Sequence, residues 1–261
     1  MKHTWRITIV LVLVFLLAQV IGLLITHHYL LTPELPFNIE RPEFEEQTSF
    51  IPLFILILVA TGLAFLLAKF KIAWLWKIWF FLSIVFTITI ALVAFIPQVP
   101  AVIFSLFFAF FKVVKRNLII HNLGELLVYG GLAAIFVPIL NIFSISVLLI
   151  IISLYDYIAV RKTKHMVKLA KFQTKLKIFA GFLIPHRKGV AILGGGDIGF
   201  PLLFAGVAMK SFGFKALIIS GFAALSLLFL FWLSEKKKFY PAMPFITAGC
   251  FFGYAVLNLV S

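Results

Sequence analysis

The chain has 261 residues, of which 63% are hydrophobic and 12% charged, and a formal net charge of +14. A soluble domain carries roughly 25% charged residues, so there is too little polar surface here to coat a globule in water. The apolar runs do not alternate with polar residues, which excludes a membrane β-barrel and leaves an all-helical membrane protein whose backbone bonds close within each span. One cysteine, Cys250, excludes an internal disulfide framework and a cysteine-rich metal site.

In chain order, nine spans are predicted near 5–25, 50–68, 72–95, 98–114, 117–137, 139–160, 189–209, 215–234 and 241–260. The first follows a basic start and is long for a signal-peptide core, so it reads as a retained span. The fourth and fifth are the least regular, because "FKVVKRNLIIHNLGE" is polar for a span boundary. Residues 26–49 form a long connection with Pro33, Pro36, Pro42 and five glutamates, and residues 161–188 form a strongly basic one. The remaining turns are tight. No internal repeat is visible. The chain divides by character into a six-span part (1–160), the basic loop (161–188) and a three-span part (189–261), together one membrane domain.

Cations mark alternate connections. Lys2 and Arg6, Lys69 and Lys71, Lys112 with Lys115 and Arg116, the 161–188 loop and Lys236–Lys238 fall on one side. Arg41, Lys210 and Lys215 fall on the other. The positive-inside rule then predicts an N-in, C-out protein of the cell membrane with the 161–188 loop in the cytoplasm. Basic loops facing anionic lipid account for the net charge without nucleic acid.

The chain has two aspartates, Asp156 in "LYDYIAV" and Asp197 in "GGGDIGF". Asp156 lies about 7–8 Å along its helix from Arg161, and Asp197 about 13 Å from Lys188, or less if that helix starts later. The sixth span runs outside to inside and the seventh runs back, so both carboxylates fall at similar depth on consecutive helices. An ionised carboxylate in hydrocarbon costs at least about 2.5–3.5 kcal/mol, and two neighbours are best accommodated by sharing a proton. Such a pair can activate a water, one carboxylate as base and the other as acid, with no metal, cofactor or side-chain nucleophile. The bland reading of each alone is a helix-packing hydrogen bond or a proton relay. Gly194, Gly195 and Gly196 strip side chains from the turn before Asp197, so a helix or an extended backbone can approach it; a loose helix start is the plainer account.

Other polar groups carry weaker signals. Glu125 is the one glutamate inside a predicted span, and with His121 and Asn122 it reads first as a buried packing cluster. Tyr155 either lines the site or donates to the aspartates, whereas Tyr155 and Tyr157 are equally ordinary at a membrane interface. The 161–188 loop mixes apolar and basic residues like an amphipathic helix on the membrane surface. Pro241-Ala242-Met243-Pro244 opens the last span, where prolines are common helix starters.

Together, Tyr155-Asp156, Gly194-x-Gly196-Asp197 and Pro241-Ala242-Met243-Pro244 resemble the paired motifs and the Pro-Ala-Leu-Pro motif of the presenilin and signal-peptide-peptidase intramembrane aspartyl proteases. Order, spacing and placement on the sixth, seventh and ninth spans all agree. Met243 stands where the family has leucine, a swap that conserves volume. The small size resembles an archaeal or other prokaryotic member. The resemblance implies an intramembrane aspartic endopeptidase with Asp156 and Asp197 catalytic. Tyr155, Gly194, Gly196, Pro241, Ala242, Met243 and Pro244 would support the site, and transmembrane helices would be the substrates. It also implies that the 161–188 loop covers the site, helps bind an unwound substrate and is open to self-cleavage. Two alternatives remain: a prepilin-type peptidase, which also carries Gly-x-Gly-Asp, and a proton- or cation-coupled transporter or leak channel using the same aspartates. Oligomeric state is not legible.

Overall fold

A computed structural model describes residues 5–32, 34–41, 44–70, 73–161, 179–186, 189–235 and 240–260. Among these residues there are nine long α-helices and one hairpin. The helices are α1 (Trp5–Leu31), α2 (Phe50–Lys69), α3 (Ala73–Val93), α4 (Gln98–Val113), α5 (Leu118–Phe136), α6 (Ile142–Arg161), α7 (Gly195–Phe212), α8 (Leu217–Leu233) and α9 (Met243–Val260). Strands β1 (Gly181–His186) and β2 (Gly189–Gly194) pair antiparallel just before α7, with Phe182 opposite Leu193 and Ile184 opposite Ala191.

Six described segments are long and apolar enough to cross a membrane. One of them, Gly195–Leu233, runs through two helices. Gly213 (φ 56°) ends α7, and a single 3₁₀ turn leads into α8. Helix α4 is shorter at 16 residues, about 24 Å of rise.

Two elements depart from expectation. Helix α1 runs six residues past its predicted end, through Thr26, His27, His28 and Tyr29. The polar groups find partners there: Thr26 Oγ1 donates to the Gly22 carbonyl at 2.8 Å and Tyr29 Oη to the Ile90 carbonyl at 2.8 Å. The seventh span begins at Gly195 rather than residue 189, because Gly189–Gly194 is strand β2. The hairpin therefore crosses the 188/189 division drawn from the sequence. The expected surface helix in the basic loop falls largely on 162–178, outside the described residues.

Helix α1 is central. It packs on α5, α7 and α8, burying Leu11, Phe15, Ala18 and Leu23 completely. With no hydrophobic drive between helices in lipid, close approach through small residues supplies the association. Helices α8 and α9 meet this way. A Cβ on Gly253 would lie 2.8 Å from the Ile219 Cα, which is backbone and cannot yield. Helix α6 packs on α9, α7 and α2, which brings the carriers of both aspartates and the proline motif to one place.

Gly253→Val should push α9 off α8 and destabilise the fold by about 1–3 kcal/mol, read as a lower thermal unfolding midpoint in detergent. A midpoint equal to that of the parent would mean that the two helices are not held at backbone contact.

Candidate active site

Asp197 sits in the first turn of α7. Gly194 is the N-cap residue, and its N–H donates to the Asp197 carboxylate three residues on. This is one arm of a capping box, in which a side chain at the third helical position returns to the N-cap donor. The next N–H, from Gly195, donates to the Ala180 carbonyl at 3.1 Å, tying the start of α7 to the residue before β1. A side chain at Gly195 would meet the Tyr129 hydroxyl at 3.0 Å and the Ala180 carbonyl at 3.3 Å, so any larger residue would press on both. At Gly196 a Cβ would touch only the Phe200 ring, at 3.6 Å. Gly196 instead keeps the surface beside Asp197 open.

Asp156 lies one and a half turns before the end of α6, half-buried like Asp197. Its carboxylate accepts from the Met243 N–H at 3.2 Å and from the Ala242 N–H. Pro241 and Pro244 have no N–H. Ala242 and Met243 are therefore the only backbone donors within the motif, and both point at Asp156. The Ala242 carbonyl already accepts from Ile246 at 3.1 Å, so what Ala242 offers Asp156 is its N–H. One turn from each partner, Ser153 and Thr247 share a buried 2.7 Å hydrogen bond that locks α6 to α9.

The two carboxylates are close enough for the charge of Asp156 to act on Asp197. Each also sits at the N-terminus of a helix, where unsatisfied N–H groups and the helix dipole favour negative charge. The residues singled out in sequence thus separate into two groups. Gly194 meets Asp197, Ala242 and Met243 meet Asp156, and the charge of Asp156 reaches Asp197. Tyr155 is hydrogen-bonded with Thr61 of α2, and Tyr157 is exposed beneath Arg161, whose guanidinium lies 5.8 Å from its ring.

The polar residues of α5 do more than fill space. Asn122 donates to the Leu183 carbonyl at 2.9 Å and accepts from the Leu183 N–H at 3.0 Å, acting as a third strand along the outer edge of β1. His121 Nε2 bonds the Gly181 carbonyl at 2.8 Å. Glu125 is paired with Lys112 and Tyr129. Lys112, counted above among the loop cations, is thereby buried.

Gln19 was missed in the sequence, although a lone amide in twenty apolar residues is a signal. Its Nε2 donates to the Ile198 carbonyl at 2.9 Å, and its Oε1 accepts from Ser220 at 3.2 Å, so it holds α7 one residue beyond Asp197. Pro201 was also passed over; it lacks the N–H that would return to the Asp197 carbonyl. An apolar cavity of about 410 Å³ lies beside this turn, between α2, α3, α5 and α7, with Ile57, Thr87, Glu125, Gly196 and Gly199 in its wall. Among the described residues no group of three or more potential metal ligands occurs.

The family model described as signal-peptide peptidase, presenilin aspartyl protease matches residues 12–198, more than half of the chain. The chain belongs to that family and is an intramembrane aspartyl protease, a multi-pass membrane hydrolase. The fold agrees. A presenilin family intramembrane aspartate protease solved in space group C222 matches with a TM-score of 0.70 at 18% identity, over 97% of this chain and 99% of that one. A structure so described in space group P2 gives 0.68 at 18%, over 96% and 97%. Comparison with curated protein sequences finds no match. Neither the prepilin-type peptidase nor the transporter is favoured by these comparisons.

Replacing Pro241 and Pro244 by alanine should let α9 begin about one turn earlier and draw the Ala242 and Met243 N–H groups into the helix. Stability should hold or rise, while binding of a hydroxyl-containing transition-state isostere should weaken by tenfold or so. Unchanged isostere binding in the double variant would reduce the motif to a helix start.

Proposed function

We propose that Asp156 and Asp197 are the catalytic dyad, and that they cleave transmembrane helices whose backbone has opened near the cytoplasmic end. The observation that carries this reading is the placing of the chain's two aspartates, each at a helix N-terminus on backbone N–H donors, with the charge of Asp156 reaching Asp197. A water between them gives its proton to one carboxylate as its oxygen attacks the scissile carbonyl carbon, while the other carboxyl protonates the carbonyl oxygen. The resulting gem-diol collapses as the carboxyl that took the water's proton gives it to the amide nitrogen and the other carboxylate takes a hydroxyl proton, and the C–N bond breaks. Gly194, Gly196, Pro241, Ala242, Met243 and Pro244 shape the site. Tyr155 supports it from α6 through Thr61.

A helical peptide bond is closed to attack, so the substrate must be held extended. Asn122 and His121 occupy the outer edge of β1. By the alternation of an antiparallel ladder, the outward backbone groups of Val190 and Ile192 then line the opposite edge of β2. Strand addition there would deliver an unwound segment beside Gly194 and Asp197.

Nine crossings with an N-in, C-out arrangement in the cell membrane fit the nine described helices and the alternation of cations. Residues 161–188 are then cytoplasmic, and the dyad lies in the cytoplasmic half of the bilayer.

Purified protein should cleave a single-span substrate, and Asp156→Ala or Asp197→Asn should each abolish turnover while the protein still folds. The pH–rate profile of the parent should be a bell whose two limbs belong to the pair. Near-normal turnover in either variant would end the dyad reading.

For topology, single cysteines at Lys175 and Asn38 in a Cys250→Ser background should react with impermeant reagent from the cytoplasmic and the outer face respectively. Labelling of position 175 from outside would reverse the orientation and, with it, the direction in which substrate helices enter.

A further inference from the structure

Lys112 at the end of α4, and Glu125 and Tyr129 one turn apart on α5, form a buried polar chain that the proposed chemistry does not use. They are 3%, 1% and 4% exposed. Lys112 Nζ donates to Glu125 Oε1, and the Tyr129 hydroxyl donates to Oε2. The ammonium also lies 5.4 Å from the centre of the Phe80 ring. Both carboxylate oxygens are thus held, one by each neighbour.

Stability alone is a poor reason for such a pair, since apolar residues of similar volume often replace a buried ion pair at no cost. What the pair does is fix the Tyr129 hydroxyl. That hydroxyl is the nearest atom to the space a side chain at Gly195 would fill, at 3.0 Å, and the Tyr129 ring is 3.8 Å from the corresponding space at Gly199. On its other side the ring meets Phe182 of β1 edge-on, with centroids 6.1 Å apart. Tyr129 is therefore wedged between the hairpin and the first turn of α7, and Asp197 stands two residues from the contact.

We propose that Tyr129, anchored by Glu125 and Lys112, is a positioning residue: Gly195 seats against its hydroxyl end, which fixes where α7 begins and how Asp197 is presented to Asp156. The inference rests on the dyad reading above. It assigns the Lys112–Glu125 pair the task of supplying a fixed acceptor for one hydroxyl, not a charge for catalysis.

The test compares variants in proteoliposomes with a single-span substrate. Tyr129→Phe keeps the ring and removes only the anchored hydroxyl; kcat should fall about tenfold while KM stays within about twofold. Lys112→Met with Glu125→Gln removes both charges but keeps an acceptor for Tyr129, and kcat should stay within about threefold of the parent. Lys112→Met with Glu125→Leu packs similarly without an acceptor, and should match Tyr129→Phe. This pair of double variants decides the matter even if Tyr129→Phe folds poorly. Parental kcat in Tyr129→Phe, or equal kcat in the two double variants, would overturn the inference while leaving the dyad intact. An Asp197→Asn variant that still cleaves would bring down the dyad reading and the inference together.

Discussion

A carboxylate held at membrane depth must find its hydrogen-bond donors within the protein, because no bulk water is there to supply them. This chain solves the problem twice with the same device. Asp197 takes an N–H from the residue that caps its own helix, and Asp156 takes two from the start of a helix more than eighty residues away. Both α7 and α9 must therefore begin inside the protein rather than at its rim. Much of the surrounding architecture exists to stop those helices from starting earlier: a hairpin before α7 and a proline pair at the head of α9.

Helix α5 ties these requirements to the rest of the molecule. Its Asn122 and His121 hold the edge of β1, and Tyr129 supports the first turn of α7. Helix α1 reaches the same end of α7 through Gln19. The aspartates themselves are few and simple. The precision of their placement comes from three helices that carry neither of them, α1, α5 and α9.

The helices were largely legible because a run of about twenty apolar residues has one stable solution in lipid. The start of α7 was not. "GVAILGGG" is apolar and short, and periodicity cannot separate a buried strand from a helix over six residues. The aspartates and the proline motif stood out as exceptions to composition, but the use of the Ala242 and Met243 N–H groups depends on how α6 approaches α9. The partner of Glu125 was illegible for a similar reason. Lys112 lies thirteen residues away across the α4–α5 turn, and as a basic residue near a span end it read as one more loop cation. Gln19 was visible and was passed over.

The hydrogen bond from the Gly195 N–H to the Ala180 carbonyl stitches together the two ends of the hairpin. Entry and exit are thus pinned to one another, and β1 is pinned again to α5. The hairpin behaves as a closed collar around which chain length can vary. A change of chain length outside this closed ladder is taken up before it can turn the carboxylate at the root of α7. Asp197, the side chain whose bearing cannot drift, is in this way insulated from the chain that leads into the hairpin.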